Sequence, residues 1–149
     1  MRLAIGSDER THLTDTVIAE VKQRGHEVTL YGPLADEEGY WPAVARQVAE
    51  QVVAGEADEA ILFCWTGTGI SLAANKVPGI RAALCADAET ARGARLWNRA
   101  NILCLSLRAT SEVVAQEILE AWFATDYQPN EVDDTCLLQV EAIERAYAG

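Results

Sequence analysis

The chain has 149 residues, 50% hydrophobic and 23% charged, which fits one globular domain with a sizeable core and excludes a disordered chain. Twelve Lys and Arg against 23 Asp and Glu leave a net charge of −11, which argues against nucleic acid or an anionic membrane surface as the main partner. No apolar run approaches the roughly 20 residues of a membrane span, and Met1-Arg2-Leu3 leads straight into a strand-like segment, so no signal peptide and a cytoplasmic location are expected.

Short apolar runs alternate with helical patterns from end to end. Residues 2–6 form the first predicted strand, followed by a helix over 13–24 with Leu13, Val17, Ile18 and Val21 on one face, stopped by Gly25. A second strand covers 27–31 and is broken by Gly32-Pro33. After an acidic, glycine-containing loop, a helix over 41–54 carries Val44, Val48 and Val52 on one face and Pro42 in its first turn. The remaining strands fall at 60–64, 80–85 and 102–105, with short helices near 69–76 and 88–95 between them. Helices over 111–124 and 134–147 close the chain. Strand-helix alternation with near-continuous apolar strands predicts right-handed crossovers and a parallel sheet buried on both faces. The expected fold is therefore α/β, one doubly wound domain over residues 1–149 with five strands. In such sheets ligands sit beyond the carboxyl ends of the strands.

The four cysteines, Cys64, Cys85, Cys104 and Cys136, are 21, 19 and 32 residues apart, without zinc spacing, so no metal is expected. Cys85 and Cys104 lie in apolar runs and read as buried, reduced packing residues. Cys64 opens the segment Cys64-Trp65-Thr66-Gly67-Thr68-Gly69-Ile70-Ser71, a strand end, glycine loop and helix start in eight residues. Glycines let backbone N–H groups turn towards a ligand, and a helix start carries partial positive charge that favours an anion and a thiolate. A tight turn with a packing cysteine is the plainer alternative. Dinucleotide binding is disfavoured, since Leu72 stands where a third glycine would be and no acidic residue ends the next strand. Asp8 could hold sugar hydroxyls, move a proton, or merely cap the first helix. Lys76 and Arg81 flank the fourth strand, Lys76 being either a candidate cation or a complement to the helix dipole; Arg108 is a candidate cation or a solvated charge, and Asn98 and Asn101 are candidate ligands or turn formers.

The run Cys64-x-Thr66-Gly67-x-Gly69-Ile70-Ser71, then Ala73-Ala74-Asn75-Lys76, Gly79-Ile80-Arg81-Ala82 and Asn98-x-Ala100-Asn101, with Gly6-x-Asp8 at the start, resembles the ribose-5-phosphate isomerase B / galactose-6-phosphate isomerase family. The resemblance spans nearly the whole chain. It implies a three-layer αβα Rossmann-like sandwich, and a homodimer or tetramer with sites at subunit interfaces and the C-terminal helix at the dimer interface. It also implies cofactor-independent aldose–ketose isomerisation of a sugar or sugar phosphate through an enediolate. On this resemblance Cys64 is the base and Thr66 positions the substrate oxygen. The N–H groups of Gly67, Thr68, Gly69, Ile70 and Ser71 form the anion hole, Asp8 holds hydroxyls, and Asn98 contacts the substrate.

The departures bear on the substrate. Glu9 and Arg10 stand where the family has His after the first-strand Asp, and Trp97 stands where its ring-opening His would be. The C-terminal stretch that carries phosphate-binding arginines reads here from Asn130 to Gln139 without one, and includes Glu131, Asp133 and Asp134. Like charges within a few ångströms repel by roughly 1–4 kcal/mol at effective dielectrics of 20–80. Arg108 is retained, and Arg10 or Arg99 is a candidate replacement charge. These losses point to an open-chain substrate, such as a tetrose derivative, other than ribose 5-phosphate. Trp41, Trp65 and Trp97 are expected either to line the pocket or to fill core or interface. The alternative function is a catalytically degenerate partner subunit or a sugar-binding module of the same family.

Overall fold

A computed structural model describes residues 1–148. Five strands, β1 (Arg2–Ser7), β2 (Glu27–Tyr31), β3 (Glu59–Cys64), β4 (Ala82–Leu84) and β5 (Ile102–Ser106), pair all-parallel in the order β2-β1-β3-β5-β4. Between and after them run α1 (His12–Gln23), α2 (Trp41–Val53), α3 (Thr68–Ala74), α4 (Ala88–Asn98), α5 (Glu112–Ala124) and α6 (Glu131–Tyr147). A 3-10 turn at Gly32–Ala35 follows β2. This is the expected three-layer αβα arrangement.

The strand period of two divides the core between the two faces. Leu3, Ile5, Ile61, Phe63, Leu103 and Leu105 join Leu13, Val17 and Val21 of α1, Ala91 and Ala94 of α4, and Ile118, Leu119 and Trp122 of α5. On the other face Ala4, Leu62, Cys64, Ile102 and Cys104 meet Val44, Ala45, Val48 and Ala49 of α2 and Ile70 and Ala74 of α3. Gly6 makes the approach of α2 possible, because a Cβ there would sit 2.7 Å from Val44 Cγ1. Helix α6 buries no residue and rests against α4, leaving Val132, Leu138, Ile143 and Tyr147 exposed.

Several boundaries depart from the sequence pattern, among them the end of α4, which runs to Asn98 where 95 is expected. The fourth strand, expected over 80–85, is only Ala82–Leu84. Ile80 N–H turns back to Val77 O, and the Asn101 side chain accepts from Arg81 N–H at 2.8 Å, so strand pairing starts late. The last helix starts three residues before the expected Asp134, because the Asn130 side chain accepts from Asp133 N–H at 2.9 Å and caps it.

Candidate functional site

With every strand parallel, their carboxyl ends share one edge: Ser7 lies beside Phe63, and Cys64 beside Ser106. The chain leaves β1 for α1 on one face and β3 for α3 on the other, so a crevice opens between β1 and β3. Cys64 is at this point and is 5% exposed.

The segment after Cys64 is pinned from β5. Leu107 N–H donates to Cys64 O at 3.0 Å, and Arg108 N–H and Ser106 Oγ both donate to Trp65 O at 2.9 Å. Gly67 then takes φ +78°, a left-handed turn open to glycine, and becomes the N-cap of α3. Ser71 N–H donates to Gly67 O at 3.3 Å, the first bond of the helix. The N–H groups of Thr68, Gly69 and Ile70 precede that bond and have no intrahelical acceptor. Ile70 offers only this N–H, since its side chain is fully buried. Thr66 Oγ1 and Thr68 Oγ1 share a 2.8 Å hydrogen bond, and Ser71 Oγ donates to Thr68 O at 3.0 Å, so the hydroxyls are ordered around the same turn.

Asp8 sits half-buried just beyond β1. It does not cap α1: Thr11 does, its hydroxyl accepting from Thr14 N–H while Thr14 Oγ1 accepts from Thr11 N–H at 3.0 Å. Among the described residues no cation pairs with Asp8. Burial raises its carboxyl above the ordinary range, and Glu9 beside it adds to the rise. Arg10 is exposed and committed to Asp15 at 3.0 Å. Arg108 is exposed at the Cys64 edge with no carboxylate partner among the described residues.

Asn98 and Trp97 lie elsewhere. Helix α4 runs back from the carboxyl edge, so Asn98, its last residue, falls near the start of β5. Ile102 is level with Ala60, four residues before Cys64, a separation of about 13 Å along the strands. Trp97 folds over Gly93 and, with Asn98, lines a groove of about 660 Å³ against Ile80, Leu137, Val140 and Ile143. Within one chain these two residues do not meet Cys64. Asn75 and Asn101 serve structure: the Asn75 side chain pairs with both Ala82 N–H and Ala82 O, and Asn101 Nδ2 donates to Gly79 O at 3.0 Å.

Cys85 and Cys104 match the packing expectation, and Cys136 is exposed. Cys85 and Cys104 are buried and free, with burial pushing the Cys85 thiol up to about 12 and raising that of Cys104 as well. Among the described residues no cluster of His, Cys, Asp and Glu could hold a metal, and no helix is long and apolar enough to cross a membrane. Sequence reasoning left out Leu84, which lies against Gly67. An apolar residue ending an edge strand carries no signal that separates packing from site.

A family model described as Ribose/Galactose Isomerase matches residues 3–136. The chain is 38% identical to ribose-5-phosphate isomerase B of Escherichia coli (strain K12) over 128 residues, 85% of this chain and 86% of that protein. It is 35% identical to D-erythrulose-4-phosphate isomerase of Pectobacterium atrosepticum over 130 residues, 86% of each. The solved structure of Clostridium thermocellum ribose-5-phosphate isomerase B superposes with a TM-score of 0.93 at 39% identity, covering 99% of this chain and 100% of that one.

Proposed function

The chain belongs to the ribose/galactose isomerase family, and we propose from that premise that it interconverts a short, open-chain aldose phosphate with its ketose, using Cys64 as the base. The observation that carries the reading is the placement of one nearly dry thiol at the mouth of a loop with three unclaimed N–H groups. Proton abstraction next to a carbonyl needs those two parts: a base at carbon and fixed donors at the oxygen that gains charge.

The steps balance as a 1,2-proton shift. The Cys64 thiolate takes the C2 proton of the aldose, and the electron pair moves through the C1–C2 bond onto O1. The N–H groups of Thr68, Gly69 and Ile70, with Gly67 and Ser71 shaping the turn, hold the resulting enediolate. The O2 proton passes to O1, with Asp8 holding the hydroxyls and Thr66 positioning the oxygen. The thiol returns its proton to C1, and O2 becomes the ketone. No redox partner or cofactor enters this balance.

Two features support a short substrate. Trp97 stands where the resembled family places its ring-opening His. A four-carbon aldose substituted at O4 has no free hydroxyl to close a five-membered ring, so it needs no ring-opening group. The α6 start carries Glu131, Asp133 and Asp134 in place of arginines, which leaves Arg108 as the cation for the substrate's anionic end. The exposed apolar residues of α6 fit a second copy of the chain. In such a dimer Asn98 of one copy would serve the Cys64 site of the other, which accounts for their separation within one chain.

The test is solvent-deuterium incorporation by NMR across tetroses, pentoses and hexoses, each free and phosphorylated, beside Cys64→Ala. Exchange at C1 or C2 that vanishes in the variant supports the reading and names the substrate. Exchange that persists in Cys64→Ala removes Cys64 as the base. A folded, oligomeric protein with no exchange on any sugar supports the partner-subunit alternative.

A further inference from the structure

The loop after Cys64 is held between two apolar side chains from elements far apart in sequence. A methyl group on Gly69 would lie 3.2 Å from Trp41 Cδ2, Cε2 and Cε3, so the indole is laid against the loop there. A methyl group on Gly67 would run into Cδ1 of Leu84, the last residue of β4. Trp41 is 38% and Leu84 37% exposed, so each is in contact with the loop and still offers surface to solvent. Trp122 in the same molecule, by contrast, is fully buried. Gly67 and Gly69 thus let the loop fit between two rims, one at the start of α2 and one at the sheet edge.

We propose that Trp41 and Leu84 determine specificity by setting the length of the carbon chain that can lie over the loop and reach Cys64. This rests on the isomerase reading above and goes beyond it by naming the residues that choose among sugars. Apolar rims offer surface to the C–H faces of a sugar and no hydrogen bonds to its hydroxyls, so they sort by volume and not by configuration. An apolar wall discriminates by about 10- to 200-fold per methylene.

The experiment compares the intact protein with Trp41→Ala, Trp41→Phe and Leu84→Ala on four-, five- and six-carbon aldose phosphates, reading kcat and KM separately. Thermal melts verify that each variant folds. The expected result is a rise of about tenfold or more in the five-carbon to four-carbon ratio of kcat/KM for Trp41→Ala, carried by KM. A smaller rise is expected for Leu84→Ala, and a ratio near the original for Trp41→Phe. An equal loss on every sugar, or an unchanged ratio, overturns the proposal. A second measurement needs no turnover. In a chain carrying Trp65→Phe and Trp97→Phe, Trp41 and the buried Trp122 are the remaining indoles. A three-carbon aldonohydroxamate phosphate, whose carbonyl carbon and nitrogen stand for C2 and C1 of the four-carbon enediolate, should change the emission saturably, and the change should vanish when Trp41→Phe is added. Turnover by the intact protein with a silent Trp41 overturns the rim assignment and leaves the isomerase reading standing. A responsive Trp41 without turnover of any sugar does the reverse.

Discussion

The two edges of the sheet are built on opposite principles. At the amino edge, Arg95 pairs with Glu59 at 2.6 Å, with side chains only 11% and 13% exposed. Arg95 also donates to Ala100 O and Thr125 O and lies 4.6 Å over the Trp122 ring, whose Nε1–H donates to Glu59 at 3.0 Å. Arg95, Glu59 and Trp122 Nε1 each have a partner supplied by the chain. At the carboxyl edge, among the described residues, Asp8 and Arg108 have no ion-pair partner and three successive N–H groups have no intrahelical acceptor. One edge uses these polar groups to hold the fold; the other leaves a carboxylate, a guanidinium and three amides open, as the proposed site requires. A satisfied cluster is a stability device and an unsatisfied one marks a site.

Mutations that separate stability from turnover sharpen this contrast. Cys64→Ala should lower turnover by about 10²- to 10⁴-fold, the range for a lost acid–base group, with little change in melting temperature. Arg95→Ala should do the opposite. It strands Glu59 in a nearly dry setting and should cost about 3–5 kcal/mol of stability, read by denaturant unfolding, while kcat measured well below the melting temperature stays near its original value. If Arg95→Ala cost turnover as well, the two edges would not be independent. Asn101→Ala frees Arg81 N–H and Gly79 O at the amino edge and should cost about 1–2 kcal/mol, or roughly 3–6 °C in a thermal melt.

Asp8→Asn should give the smallest shift, and its sign is the informative part. Burial raises the Asp8 carboxyl, so the folded state is penalised for carrying the charge. That penalty is absent at a pH below the ordinary carboxylate range, grows as pH rises through the raised folded value, and is fully present at neutral pH. Asp8→Asn should therefore melt slightly above the original protein at pH 7 and level with it in acid, while its turnover falls. An amino-edge carboxylate such as Asp58, held low by its bonds to Arg2, should behave in reverse.

What the sequence revealed followed from periodicity. Near-continuous apolar strands and one-faced helices marked a sheet buried on both sides, and the eight residues from Cys64 announced a strand, a turn and a helix in the order found. What it hid were events decided by side chains meeting across the fold. Asn101 delays the start of β4 by accepting from Arg81 N–H, a group that a ladder would otherwise claim. Asn98 reads as a residue before a strand, yet α4 extends three residues past its expected end at Arg95 and leaves Asn98 on the amino edge. Asp8 reads equally well as a cap, and only the reciprocal Thr11–Thr14 bonds assign that task elsewhere. The contacts of Trp41 and Leu84 with the glycines join segments that no local pattern links.

The strand order has a consequence for how the molecule is made. Strand β5 lies between β3 and β4, so β4 pairs with nothing until the chain has been made as far as residue 106. A ribosome that has released only the first 90 residues presents β1, β2 and β3 as a sheet with the Cys64 strand as its open side. The segment that carries Cys64 is then left open to pairing with a neighbouring nascent chain. Arrival of β5 both seals that strand and fixes the carbonyls of Cys64 and Trp65, so the last strand to be made completes the sheet and sets the loop in the same event.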